Sequence, residues 1–178
     1  MITKYISINR AAIVAGALVL LSACSFPFEE TISAGTITLS ENQGYLEVAV
    51  DIDEEARDPR LNYSTIEFSY TVVSRNLLSD AQAVEVAIYV SSDEQTDDQR
   101  EAPDASFEEV FRVTVNSNTD TSGAAESELM VDILNDRQES FVVAANIEND
   151  GFISTVLGSD GTIDIDITLH ITGNVIPF

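Results

Sequence analysis

The chain has 178 residues with 31 acidic and eight basic side chains, a formal net charge of −23. An acid surplus of that size repels the phosphate backbone and excludes nucleic-acid binding. One cysteine, one histidine and no tryptophan leave no intrachain disulfide and few groups for nucleophilic or sugar-stacking chemistry.

The chain opens with the layout of an export signal. Lys4, Arg10 and the terminal amine form a positive stretch, and Ala11 to Leu21 is an apolar run. A permanent helical span needs about 20 apolar residues, so residues 1–23 are predicted to be a cleaved signal peptide. Small residues Ser22 and Ala23 precede Cys24, the only cysteine. The stretch Leu21-Ser22-Ala23-Cys24 resembles the lipobox of bacterial lipoproteins, Leu-(Ala/Ser)-(Gly/Ala)-Cys, at every position. That resemblance implies a diacylglyceryl group on the Cys24 thiol, cleavage before it, and a fatty acyl group such as palmitate on the new amino terminus. Each buried CH₂ contributes ~0.8 kcal/mol, so two or three chains hold a membrane firmly where one does not. In enterobacterial lipoproteins an Asp after the cysteine favours the inner membrane; Ser25 implies the outer membrane. The bland alternative is an ordinary cysteine.

Residues 24–30 read as the lipidated cysteine and a short tether, stiffened by Pro27. Phe26 and Phe28 have two destinations open, the lipid interface or the domain. Residues 31–178 are predicted to form one domain, and from here the hydrophobic period is 2. Expected strands are Thr36 to Leu39, Tyr45 to Asp53, Ile66 to Val73, Val84 to Val90, Phe107 to Val115, Glu128 to Leu134, Phe141 to Ile147, Phe152 to Leu157 and Ile163 to Ile171. Phe141 to Ile147 is nearly all apolar, as a strand covered on both faces would be. In the last strand Ile163, Ile165, Ile167, Leu169 and Ile171 alternate with polar residues. Asn42-Gln43-Gly44, Asn149-Asp150-Gly151 and Ser159-Asp160-Gly161 read as turns. Asp53 to Tyr63, Ser91 to Ala105 and Asn116 to Ala125 read as loops. The length of the second marks it as either functional or mobile. About nine strands, with no helix after residue 23, make an all-β fold. It is a single antiparallel β-sandwich of Ig-like or jelly-roll type, with a closed barrel as the other possibility.

After Cys24 every basic residue is an arginine: Arg57, Arg60, Arg75, Arg100, Arg112 and Arg137. The acidity has two readings, a divalent-cation surface or solubility in a salty medium where screening cuts repulsion to ~8 Å. The absence of lysine there favours the second. Calcium is the most specific site the sequence offers, since hard cations want closely spaced oxygen ligands. Asp51, Asp53 and Glu55, with Asp58 nearby, form one candidate cluster; Asp93-Glu94 with Asp97-Asp98 forms another. Neither matches an EF-hand loop. His170 has no orienting acid: Asp166, on its own face, lies ~13 Å along an extended strand. The expectation is therefore no catalysis and no resident cofactor. The expected protein is a membrane-anchored lipoprotein with a structural or accessory role. The alternative is a binding module for protein, peptide or glycan, using the sandwich loops. An exposed apolar patch at Leu61, Tyr63, Leu77 and Leu78 would favour that alternative.

Overall fold

The structure, a computed structural model, describes residues 4–6, 25–40, 43–77, 83–93, 95–97, 100–116, 119–148 and 157–176. Its strands are β1 (Lys4–Ile6), β2 (Phe26–Ser40), β3 (Tyr45–Ile52), β4 (Leu61–Leu77), β5 (Val84–Ser91), β6 (Phe107–Val115), β7 (Asp120–Glu126), β8 (Ser140–Ile147) and β9 (Leu157–Val175). One helix, α1 (Glu128–Asn135), lies between β7 and β8.

The pairing is nested. β2 pairs with β9, β3 with β8, β4 with β7 and β5 with β6, all antiparallel. This is one long hairpin rolled up on itself. The contacts β4–β9 and β5–β8 complete two sheets, β2-β9-β4-β7 and β3-β8-β5-β6. Two such sheets make a β-sandwich of jelly-roll topology, which settles the choice left open with the Ig-like type and the closed barrel. β1 adds to the second sheet only as an edge segment, running parallel to Val50–Ile52 of β3.

The alternation read from the sequence builds the core. Ile163, Ile165, Ile167, Leu169 and Ile171 of β9 are buried against Ile66, Phe68 and Val72 of β4 and Phe141, Val143 and Ala145 of β8. β8 is covered on both faces, as its composition predicts. Its odd positions enter this core, and Ala144 joins Ala87 and Tyr89 in a small second cluster on the outer face. In β2 the inward parity changes between Ile32 and Ile37, because Ala34 is an extra residue in a bulge. Gly35, at φ 98, supplies the left-handed backbone that this bulge needs.

Several sequence expectations are overturned. Glu128 to Leu134 is helical, not a strand. Ser127 caps it, its Oγ accepting from the Met130 N–H at 3.2 Å, and Met130, Ile133 and Leu134 are buried at helical spacing. Leu129, Val131 and Ile133 also alternate, so so short a segment satisfies both periods. The expected tether is the start of β2, paired with β9 from Phe26 opposite Val175. Asn116 to Ala125 holds all but the last residue of β7, an edge strand of small and polar residues along β4. Ser159-Asp160-Gly161 lies within β9, where the four residues between Leu157 and Thr162 stand opposite the single Asn76 of β4. The bending tendency of these residues is absorbed by a wide bulge. Leu61 and Tyr63 belong to β4 rather than a loop, and Tyr63 is buried. The expected strand Phe152 to Leu157 falls outside the described residues except for Leu157.

Gly173 of β9 is a packing requirement. A Cβ there would overlap the carbonyl oxygen of Asn62 and sit 2.7 Å from the Phe28 ring. Gly173→Ala is therefore expected to cost about 1–3 kcal/mol as an overpacking change, read as a lowered urea midpoint with the sheet circular-dichroism spectrum retained.

Candidate functional site

The lipobox residues Leu21, Ser22, Ala23 and Cys24 lie outside the described residues. Of the calcium candidates the first cluster is described throughout, whereas Glu94 and Asp98 of the second lie outside the described residues. Asp51 is the penultimate residue of β3, opposite Ser140, Asp53 caps the 3-10 turn Glu54–Arg57, and Glu55 is exposed within it. Among the described residues no group of three or more His, Cys, Asp or Glu is placed to hold a metal ion. His170 stands on the outer face of β9 between Thr31 and Glu67, its Nδ1 3.1 Å from the Thr31 hydroxyl.

What the acids meet instead is arginine. Arg100, in the long loop between β5 and β6, reaches back to β3. Its guanidinium donates to Glu47 at 2.9 Å, and it stands 3.2 Å from Asp104 and 3.6 Å from Asp93. Its plane lies over the Phe107 ring at 5.0 Å. The Glu47 side chain is only 4% exposed and that of Arg100 17%. Glu47 also accepts from the Tyr45 hydroxyl at 2.7 Å and the Asp97 N–H at 2.8 Å. The loop is thus pinned over the outer face of the β3-β8-β5-β6 sheet. Ser106 donates twice to Asp104, which holds that carboxyl below its usual range, with help from Arg100.

A second centre sits on the same face. Arg112 donates to Glu109 at 2.7 Å and Glu148 at 2.9 Å, and Glu85 is 3.7 Å away. The Tyr89 hydroxyl also donates to Glu148. These bonds hold Glu109 and Glu148 below the usual carboxylate range, Arg112 first for Glu109 and Tyr89 first for Glu148. Both centres place acid beside base with no nucleophile between them. Each ties separate elements together on this face: Arg100 joins the β5–β6 loop to β3, and Arg112 of β6 reaches Glu148 at the end of β8.

The sandwich end where β2 begins has a different character. Register places Phe26, Val175 and Leu61 in one row across β2, β9 and β4. This row continues the inward-facing parity at the rim of the core: Leu61 still packs against the core and Val175 is half-buried, while Phe26 stands beyond its cover. Phe26 is 60% exposed and Ile176, next to the row, 51%; they are the exposed large hydrophobics among the described residues. Ile176 is held, its N–H donating to the Arg60 carbonyl at 2.7 Å. Phe28 turns inward, edge-on to Tyr63 at 5.7 Å. Below it, an apolar cavity of about 20 Å³ lies between Tyr63, Met130 and Phe141. Glu30 borders it, and burial raises that carboxyl. On the outer face of the other sheet, Ser69, Thr71, Ser122, Asp166 and Thr168 line an open groove of about 370 Å³.

No protein-family model matches the chain, and no curated protein matches it. Among solved structures the chain is similar to the mud crab tombus-like virus structure, with 10% identity, a TM-score of 0.40, and 93% of this chain and 96% of that one covered. It is also similar to the empty head of turnip yellow mosaic virus, with 12% identity, a TM-score of 0.38 and coverage of 99% and 94%. A third likeness is to a latent aurone synthase, with 15% identity, a TM-score of 0.37, and 80% of this chain but 26% of that one covered. At these values none bears on function.

Two predictions follow from the buried polar groups. Arg100→Leu leaves the Glu47 carboxylate buried without its cation and should cost about 3 kcal/mol. Adding Glu47→Leu should recover much of that loss in urea denaturation. A double variant no more stable than the single one would refute the pairing as the cause. The second concerns alkali. Burial pushes the Tyr63 phenol up to about 12, and its hydroxyl donates to the Ala56 carbonyl at 2.7 Å. Burial, then the bonds to Glu47 and Glu148, also raise Tyr45 and Tyr89. A phenol raised in the folded state favours the fold while neutral. That stability is full below the ordinary value near ~10 and is lost as pH rises from there through about 12. Phenolate absorbance of these tyrosines should therefore rise together with loss of the sheet spectrum, not before it.

Proposed function

We propose that the chain is an exported bacterial lipoprotein, held on the cell envelope by acyl groups on Cys24, whose jelly-roll domain plays a non-catalytic structural or accessory role there. The observation that carries this reading is Leu21-Ser22-Ala23-Cys24 directly behind the apolar run Ala11 to Leu21. The fold is compatible with cleavage at that point. The nested pairing of β2 to β9 uses no residue before Phe26, and β1 pairs with only three positions of β3. Removing residues 1–23 would open that short edge and leave all eight sandwich strands their partners. Ser25 after the cysteine supports the outer membrane as the destination.

One observation favours a second reading, a binding module for a polar ligand such as a glycan. The groove over Ser69, Thr71, Ser122, Asp166 and Thr168 offers hydroxyls and a carboxylate on a rigid sheet.

Metabolic labelling with an alkyne fatty acid tests the anchor. The native chain should be labelled and pellet with membranes, whereas Cys24→Ala should lose the label and become soluble. Equal labelling and pelleting of Cys24→Ala would refute the reading.

A further inference from the structure

We propose that the apolar lip of Phe26, Val175, Leu61 and Ile176 beds into the interfacial zone of the lipid bilayer, so that the sandwich stands on the membrane at one fixed end. This rests on the anchor reading for Cys24 and adds to it a contact surface and an orientation.

The argument starts from reach. β2 is paired from Phe26, so only Ser25 separates the acylated residue from the sheet. An extended chain advances at most ~3.3–3.6 Å per residue, so the Cys24 and Phe26 backbones stand within about 7 Å. An acyl chain rooted there brings the bilayer to the lip. No flexible linker lies between them to hold the domain clear.

The chemistry of the lip fits that neighbour. Interfacial apolar groups sink about 5–10 Å into the boundary between headgroups and acyl chains, and aromatic rings are enriched at that level. Phe26 projects at 60% exposure, whereas Phe28, of the same parity one step inward, is spent on Tyr63 and Gly173. Ile176 is fixed beside it by its bond to the Arg60 carbonyl. The opposing force is the acid load of the domain. Beside the lip it is partly cancelled, as Asp58 is paired with Arg60, and Glu139 lies 3.3 Å from Arg57.

The chain has no tryptophan, so a single introduced one reports alone. Phe26→Trp and Ile176→Trp, each in the full chain, are produced in a bacterium. The acylated proteins are then reconstituted in phosphatidylethanolamine–phosphatidylglycerol vesicles with or without brominated acyl chains. Arg75→Trp is the reference: its side chain is 64% exposed, and it lies roughly 45 Å along β4 from Leu61 at ~3.3 Å per residue. The expected result is blue-shifted emission at both lip positions that brominated lipid largely abolishes, with emission at position 75 unchanged. Acylated, vesicle-bound protein whose lip emission is no more quenched than that at position 75 overturns the lip alone. Blue-shifted but unquenched emission means that protein, a second copy or another envelope component, covers the lip, and overturns it equally. Protein that carries no acyl group and does not float with vesicles overturns the anchor reading, and this proposal with it.

Discussion

The closing of β9 between β2 and β4 is the constraint on which the rest depends. Five alternate aliphatic side chains of β9 are buried, each worth about 1.5–3 kcal/mol in water removed. Both edges of the strand are paired through the same stretch. β2 comes first in the sandwich and β9 last, so the sheet they share cannot form until the whole domain is present. Pairing of such long sequence separation is slow to form, and it joins the two ends of the domain in space. Whatever enters at Phe26 therefore enters beside Val175, at one end of the sandwich.

The acid surplus is the second constraint, and the six arginines of the domain are distributed to meet it. Arg100 and Arg112 stand on the outer face of one sheet, each between several carboxylates. Arg75 answers Asp164 on the other sheet at 3.3 Å. Arg137 spends its charge on backbone, donating to the Leu134 and Leu61 carbonyls and so tying the end of α1 to β4. Guanidinium suits these places better than ammonium, because a planar fork of five donors can satisfy several oxygens at once. The loop with Arg100 illustrates the effect. Its acids look like a solvated charge run or a cation site in sequence, yet two of them, Asp93 and Asp104, stand beside the half-buried guanidinium of Arg100.

Much of the architecture was legible because its strands alternate cleanly. Ile163 to Ile171, Val84 to Val90 and Ile66 to Val73 carry period 2 with no competing period, and all three are strands. What could not be read was of two kinds. Leu129, Val131 and Ile133 fit a strand as well as Met130, Ile133 and Leu134 fit a helix; only the cap at Ser127 tips the balance, and a cap is a single residue. β7 is the other kind. Asp120 to Glu126 is made of small and polar residues with no hydrophobic signal, and it is a strand because β4 offers it an edge. The same holds for Phe26 to Glu30, whose pairing is dictated by a partner at the far end of the chain. The stretch Leu21-Ser22-Ala23-Cys24 is contiguous, so its resemblance to a lipobox is visible in the sequence alone. The lip is not, because its row joins Phe26, Leu61 and Val175 from three separate strands.

Antiparallel alternation then decides which loops share an end. The chain enters at Phe26, so the connections β3–β4, β5–β6 and β7–β8 return to that same end. They hold the 3-10 turn Glu54–Arg57, the loop with Arg100 and the helix α1. These are the connections tied down by Arg57, Arg60, Arg100 and Arg137. The connections β2–β3, β4–β5, β6–β7 and β8–β9 gather at the opposite end. A six-residue flexible tether would let the domain wander by ~13 Å, taking ~5–6 Å × √n, and would make both ends equally available. With pairing from Phe26 that freedom is absent. An anchor at Cys24 would therefore make the two ends inequivalent, placing one set of loops toward the membrane and the other away from it. A soluble partner approaching the anchored domain would meet the second set and the hydroxyl-lined outer face first.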